Sequence, residues 1–284
     1  HTVIFTPVGA SQTLPVLLQR TPYGASGTGA PDDTTISVQD FGNYYGSMLK
    51  EGYFLIFQDI RGKYKSEGKM EIHQPLTHAT QKGTIDESTD TWDTVDWLIK
   101  NLKGNNGKAG IFGISYPGWL ALVGAVDPHP ALKASSEQAC MGDLFLGDDF
   151  HHNGAFRLSY GMEYTYEVEF DKTTDSDFPF PQFDLYDWYL KLGSLKNVNE
   201  KYFHNKIPTW NNFVQHPDYD AFWKKNSTLS YVKTAEIPQL HVGGYYDQED
   251  INGPQLMYSH MEKNDRANNN HLVLGPWNHG QWAR

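Results

Sequence analysis

The stretch KAGIFGISYPGWLALVGAV, residues 108–126, constrains this chain more than any other. Residues 108–114 read as a short apolar strand and residues 117–126 as a helix, with Ser115 between them and Gly113 and Gly118 on either side. A strand that passes into a helix through Gly-x-Ser makes a tight turn. That turn throws the serine hydroxyl clear of the sheet, beside a helix N-terminus where the dipole favours developing negative charge. The usual pattern is G-x-S-x-G, and here Pro117 stands where the second glycine belongs. An ordinary serine in a strand–helix turn would also satisfy these few residues, so the rest of the chain has to decide.

Around this stretch, strand-like runs alternate with helical patterns, as in a largely parallel sheet flanked by helices. Residues 14–20 (LPVLLQR), 53–60 (YFLIFQDI), 108–114, 132–139, 238–247 and 271–277 read as strands. Residues 38–52, 86–102, 117–126 and 253–263 read as helices. In the second of these, Trp92, Val95, Ile99 and Leu102 recur at helical spacing and mark the expected inward face. From about 141 to 232 the rhythm breaks into an aromatic-rich stretch with no strand alternation, centred on FPFPQFDLYDWYL. The expected organisation is therefore a core in two parts, residues 1–140 and 233–284, with 141–232 inserted as a helical cap.

A serine elbow predicts its partners in chain order, an acid and then a histidine, each in a loop after a later strand. Asp247 closes the strand PQLHVGGYYD, and His279 follows the strand HLVLGPW. With both at strand ends and in the right order, the chain reads as an α/β-hydrolase fold in which Ser115, Asp247 and His279 form a catalytic triad.

Charge and composition narrow the partners. A net charge of −11 argues against nucleic acid or an anionic membrane surface as partner. It is compatible with a cationic ligand and equally with a solvated acidic surface. No apolar run reaches the roughly 18 residues of a membrane span. Cys140 is the only cysteine, so no disulfide forms within the chain and the redox compartment is not readable.

Seven segments taken together resemble the α-amino acid ester hydrolases: RTPYGA (20–25), QDIRGKYKSEG (58–68), DTWDTVDWLIKN (90–101), GISYPG (113–118), GDDFHHNGAF (147–156), GYYDQEDI (244–251) and LGPWNHGQW (274–282). That group belongs with the X-Pro dipeptidyl peptidases, cocaine esterase and glutaryl-7-aminocephalosporanic acid acylases, in which G-x-S-Y-x-G is the normal elbow. The resemblance implies that Ser115 is the nucleophile, Asp247 the orienting acid and His279 the general base. It implies that Tyr23 and the backbone N–H of Tyr116 form the oxyanion hole, a role a phenol and a main-chain donor can both fill. It further implies that Asp149, Glu249 and Asp250 bind the α-ammonium of the substrate. By themselves Tyr23 reads as a buried strand-end tyrosine and DQED as a solvated acidic loop. The resemblance also implies no cofactor or metal, a homo-oligomer, a bacterial periplasmic or secreted setting, and a jelly-roll domain beyond the His279 loop. Because the chain opens at His1 in a strand-like run and stops at Arg284, the expectation is a catalytic domain from a longer protein.

Other motifs carry less. SMLK (47–50) matches S-x-x-K but lies in a helical pattern without S-D-N or K-T-G, and GASGTGA (24–30) lacks the GK[ST] of a phosphate loop. His151 and His152 are adjacent, have no third ligand at metal spacing, and read as structural. Asp59 and Arg61 read as an ion pair bracing a loop, and Trp188, Trp210, Phe213 and Trp223 as core. The resulting expectation is a serine hydrolase acting through an acyl-enzyme on acyl groups with a free α-amino group, in esters and in amides including β-lactam antibiotics. An X-Pro dipeptidyl peptidase or general carboxylesterase is the alternative, and a hydrolase-like binding module without chemistry the remote one.

Overall fold

A computed structural model describes residues 1–25, 37–78, 82–147, 149–158 and 160–283, the side chain of Asp40 excepted. Most of the glycine-rich run at 24–30 lies outside these residues. Seven strands form one sheet: β1 (Thr2–Phe5), β2 (Leu14–Thr21), β3 (Phe54–Asp59), β4 (Asn105–Ile114), β5 (Leu132–Gln138), β8 (Gln239–Gly244) and β9 (Asn270–Gly275). Their order is β1-β3-β2-β4-β5-β8-β9, and only β1 runs antiparallel to its neighbour. The chain is thus the α/β-hydrolase-like sheet expected from the alternating pattern.

This order fixes the site. After β2 the chain moves outward to β3, then returns to the other side of β2 as β4. In open α/β sheets the crevice at such a reversal, outside the carboxyl ends of the strands, is where ligands bind. Tyr23 follows β2 and Ser115 follows β4, so topology alone brings those two strand ends together. Asp247 and His279 follow β8 and β9, which are also neighbours.

Helix α1 (Gly42–Lys50) covers one face through Tyr44, Tyr45 and Met48, packed over Leu55, Phe57 and Phe112. Helices α2 (Glu87–Asn101) and α3 (Tyr116–Gly124) cover the other, over Val16, Leu18, Ile56 and Ile111. All nine residues of α3 are buried. Asp86 starts α2 through a reciprocal cap with Thr89, worth about 1 kcal/mol. Helix α8 (Asn252–Glu262) joins the α3 side through Met257 and Met261, which meet Leu122 and Cys140.

Between β5 and β8 the chain leaves the sheet. It forms a two-residue hairpin, β6 (His151–His152) with β7 (Ala155–Phe156), and helices α4 (Gly161–Glu169), α5 (Leu185–Leu192), α6 (Pro208–Gln215) and α7 (Ala221–Asn226). The hairpin corrects the expectation of no strand there. Two-residue strands are too short to leave an alternation in sequence. Trp188, Trp210, Phe213 and Trp223 all sit in one buried cluster with Trp119 of α3, so these four aromatics are packed core. Burying each such ring contributes several kcal/mol at about 25 cal/mol per Å².

Two other expectations change. On α2 the expected stripe holds at Val95, Ile99 and Leu102, which pack on the core, with Glu87, Thr91 and Leu98 buried beside it, but Trp92 is exposed and sits edge-on to His129. The cause is Arg20, fully buried on β2, whose guanidinium takes the Glu87 carboxylate, the Glu87 carbonyl and the Thr91 hydroxyl. Asp59 and Arg61 do not pair. The chain turns at Ile60, so Arg61 reaches the Asp90 carboxylate with both prongs. Asp59 instead accepts from the Ala25 N–H and pairs with His1.

Glu137 is the costly residue of the sheet interior. It lies on β5 between Gly113 and His241, wholly buried, with neither carboxylate oxygen in a well-formed hydrogen bond among the described residues and only Ser135 and nearby backbone groups to soften its charge. Desolvation pushes its pKa from 4.5 to about 7, and pushes that of neighbouring His241 down to about 4. The folded state therefore holds the Glu137 proton more tightly than the unfolded chain does. The stability this contributes is complete below about pH 4.5 and is lost as pH rises to about 7, a difference of about 3 kcal/mol. Glu137→Gln is expected to raise stability at pH 8 by about 2 to 3 kcal/mol and to change it little at pH 4. Urea unfolding at the two pH values measures this; an equal shift at both would mean that the carboxyl ionises as readily in the folded protein as in the unfolded chain.

Candidate active site

The geometry of the elbow follows from close approach. Ser115 has φ 67° and ψ −129°, a conformation L-residues rarely adopt and one that costs on the order of 1–3 kcal/mol. Its N–H donates to the Gln138 carbonyl of β5 at 2.9 Å, and its carbonyl accepts from the Trp119 N–H of α3 at 2.9 Å. A Cβ on Gly113 would lie 2.3 Å from the Pro117 carbonyl, and one on Gly118 2.3 Å from the Gln138 carbonyl oxygen. Helix and strands thus meet where only hydrogen fits, and Pro117 costs nothing at a helix start, where no N–H is needed.

The loops after β8 and β9 bring Asp247 and His279 together. His279 Nδ1 lies 2.9 Å from Asp247 Oδ2, and the Asp247 side chain is fully buried. Asp247 Oδ1 accepts from the N–H groups of Glu249 at 2.9 Å and Asp250 at 3.1 Å. Burial works to raise the Asp247 pKa, but His279 and these donors outweigh it and the net shift is downward. For His279, burial opposes the charge, yet the Asp247 hydrogen bond and the fields of Glu249, Asp247 and Asp149 raise its pKa. Its Nε2 faces Glu249 Oε2 at 3.7 Å. Ser115 Oγ makes no hydrogen bond to His279 within the described structure, a looseness common before substrate is bound.

Tyr23 leaves β2 with its N–H on Thr21 Oγ1 at 3.0 Å and its hydroxyl 2.9 Å from the Tyr164 hydroxyl of α4. Burial raises its pKa, and the charges of Glu167, Asp149 and Asp250 raise it further, so it is a neutral donor at any ordinary pH. The Tyr116 side chain is buried, stacked on His73 at 4.5 Å, and its hydroxyl accepts from the His73 N–H. Its backbone N–H lies in the first turn of α3, where no intrahelical carbonyl is available.

Asp149 and Asp250 are buried and Glu249 is half-buried. Asp149 reaches the site from the cap side and the other two from the loop that carries Asp247. All three act on the same groups: Asp149 and Glu249 on His279, Asp149 and Asp250 on Tyr23, and all three on Tyr160 of the cap. One atom each from Glu249, Asp250 and His279 lies within 4.8 Å of the others, a spacing open to a cation. His151 is buried with Nδ1 on the Leu144 carbonyl and packs on Phe145 and Trp223, away from this cluster.

Sequence reasoning missed Tyr160, Tyr164 and His73. The two tyrosines stand four apart in LSYGMEYTYEVEF, a helical spacing, but only the cap's docking decides that they meet the end of β2. His73 has a positive φ of 49° that nothing in its neighbourhood announces.

The family model described as X-Pro dipeptidyl-peptidase (S15 family) matches residues 1–281. An aminopeptidase from the marine sediment archaeon Thaumarchaeota archaeon is similar in structure with a TM-score of 0.89 at 35% identity, covering 100% of this chain and 47% of that one. An α-amino acid ester hydrolase gives a TM-score of 0.86 at 34% identity, covering 99% and 46%. Cocaine esterase from Rhodococcus sp. (strain MB1 Bresler) is 25% identical over 282 residues, 95% of this chain and 45% of that protein. The chain spans about half the length of these relatives.

The elbow geometry has a direct test. In Gly118→Ala the new methyl meets the carbonyl that holds the Ser115 N–H, so α3 must shift. A stability loss of about 2 to 4 kcal/mol is expected by denaturant unfolding. A variant as stable as the parent would show that the strand–helix contact has room to spare.

Proposed function

This chain belongs to the X-Pro dipeptidyl-peptidase (S15) family, and on that footing we propose that it is a serine hydrolase for acyl groups bearing a free α-amino group. The substrates are α-amino esters and amides, β-lactam side chains among them. The observation that carries this reading is the 2.9 Å His279–Asp247 hydrogen bond set in the field of Asp149 and Glu249. A base held by one carboxylate is common hydrolase equipment. Two further acids acting on the same imidazole, with a third beside Glu249, are unfavourable unless a cation comes to them. The names of two relatives, an aminopeptidase and an α-amino acid ester hydrolase, refer to acyl groups of this kind.

In this mechanism His279 Nε2 takes the proton of Ser115 Oγ as that oxygen attacks the carbonyl carbon. The oxyanion forms between the Tyr116 N–H and the Tyr23 hydroxyl, in a site prepared before charge appears. Protonated His279 then gives its proton to the departing alcohol or amine, leaving the acyl group on Ser115. Water enters, His279 removes its proton, and the acid is released. Asp247 holds the imidazole and steadies its charged form throughout. Asp149, Glu249 and Asp250 hold the substrate ammonium.

The Glu249–His279 contact gives the ammonium a second effect. In the free protein, Glu249 favours the charged imidazole, which cannot accept the Ser115 proton. A bound ammonium offsets that field, so His279 becomes a base at lower pH once substrate is in place. For an α-amino ester, the acid limb of kcat is expected below that of kcat/KM, because the first reports the complex and the second the free enzyme. Above about pH 7 to 8, kcat/KM falls as the substrate amine loses its proton. For the desamino ester the two acid limbs coincide and the alkaline limb vanishes. Identical profiles for both esters would remove the ammonium reading in favour of a general esterase.

Ser115→Ala is expected to lower kcat roughly 10⁴-fold or more on either ester. Retention of a tenth of the activity would place the nucleophile elsewhere.

A further inference from the structure

The hydroxyl of Tyr164 on cap helix α4 stands 2.9 Å from that of Tyr23, 141 residues away in the chain. Each phenol has one proton to give, and only one of the two lies between the oxygens. The surroundings decide which. Tyr164 is buried, stacked on Tyr160 at 5.3 Å and tilted against Phe150 at 5.8 Å. Among the described residues, its hydroxyl has hydrogen-bond contact with Tyr23 alone. If Tyr23 were the donor, the Tyr164 proton would be buried without an acceptor among the described residues, which a protein interior penalises. Tyr23, by contrast, is 37% exposed and stands at the end of β2, beside the elbow that carries Ser115. Its proton is not confined among buried apolar groups.

We propose that Tyr164 donates to Tyr23 and so frees and aims the Tyr23 proton at the oxyanion. This makes Tyr164 a positioning residue for the reaction. It rests on the oxyanion role of Tyr23 given under Proposed function. A phenol oxygen that accepts a hydrogen bond is the better donor through its own O–H, since hydrogen bonds in a chain polarise one another. The arrangement also keeps Tyr23 from turning its proton inward between turnovers. Both tyrosines are held neutral, because burial raises their pKa values well beyond the working range.

The consequence separates kcat from KM. The Tyr164 bond strengthens a contact made with charge that exists only in the transition state, so its loss leaves ground-state binding alone. In Tyr164→Phe, kcat is expected to fall about three- to tenfold, the range one neutral hydrogen bond implies, with KM within twofold of the parent. In Tyr23→Phe, kcat is expected to fall about 10- to 1000-fold. Adding Tyr164→Phe to Tyr23→Phe should cost less than a further twofold, because the relay has no proton left to aim. Thermal melting of all four proteins accompanies the cycle. Equal kcat losses from Tyr164→Phe in both backgrounds, or a raised KM with kcat intact, would make Tyr164 a packing residue and overturn the relay while leaving the oxyanion assignment standing. A Tyr23→Phe protein with full kcat would overturn both.

Discussion

One carbonyl holds the site in register. The Gln138 oxygen at the end of β5 takes the Ser115 N–H and lies where a Gly118 side chain would be. A serine at φ 67° persists only if its surroundings over-determine it. Here that oxygen on one side and the first turn of α3 on the other leave it no alternative. The same contact requires α3 to be apolar throughout, since a helix pressed this closely to strands has no solvent face. Its Trp119 and Tyr116 then become the floor on which the cap packs. The strain at one residue and the burial of the whole helix are two results of one close approach.

Charge is arranged around that fixed point with opposite effects on neighbouring groups. Asp247 sits among donors, stays ionised and lends its charge to His279. Tyr23 sits among acids and is held neutral. In the proposed mechanism the imidazole carries a proton transiently and the phenol never loses one, so the same negative field would assist both. In that reading a cationic substrate would meet Asp149, Glu249 and Asp250 with opposite charge, whereas a neutral one would only desolvate them.

The parts legible in the sequence were those written locally. Ser115, Asp247 and His279 each stand at the end of a strand-like run, and chain order does the rest. The largely parallel sheet was legible because strand-like runs alternate with helical patterns along the chain, whereas the order of its strands was not. Contacts made across the fold were not legible. Trp92 of α2 was misplaced because a buried arginine on β2 draws the Glu87–Thr91 side toward the sheet, while Val95, Ile99 and Leu102 pack on the core as expected. Asp59 and Arg61 stand two apart with opposite charges, and only the turn at Ile60 sends them to different partners. Tyr164 carries no mark in its own segment, because its role belongs to a tyrosine 141 residues earlier.

The cap reaches the end of β2 by a second route, through a buried lysine. Lys63 is 1% exposed, and its ammonium donates to the Val168 and Asp171 carbonyls at 3.0 and 3.1 Å and pairs with Asp175 at 3.0 Å. Burying an ammonium costs several kcal/mol unless such partners surround it, so the loop and the end of α4 are bound to one arrangement. The next residue, Tyr64, bonds through its hydroxyl to the same Asp175, and its ring lies against Gly24, where a Cβ would sit 3.2 Å from Cζ. Gly24 follows Tyr23 directly. Tyr23 is therefore held by Thr21 from its own strand and by Tyr164 from the cap, and the residue after it, Gly24, by the Tyr64 ring. Two of these three supports depend on α4 and the loop that follows it. Displacing that helix would disturb Tyr23 while leaving Ser115 on its sheet-bound elbow, so the proposed nucleophile and the proposed oxyanion donor are held by separate parts of the fold.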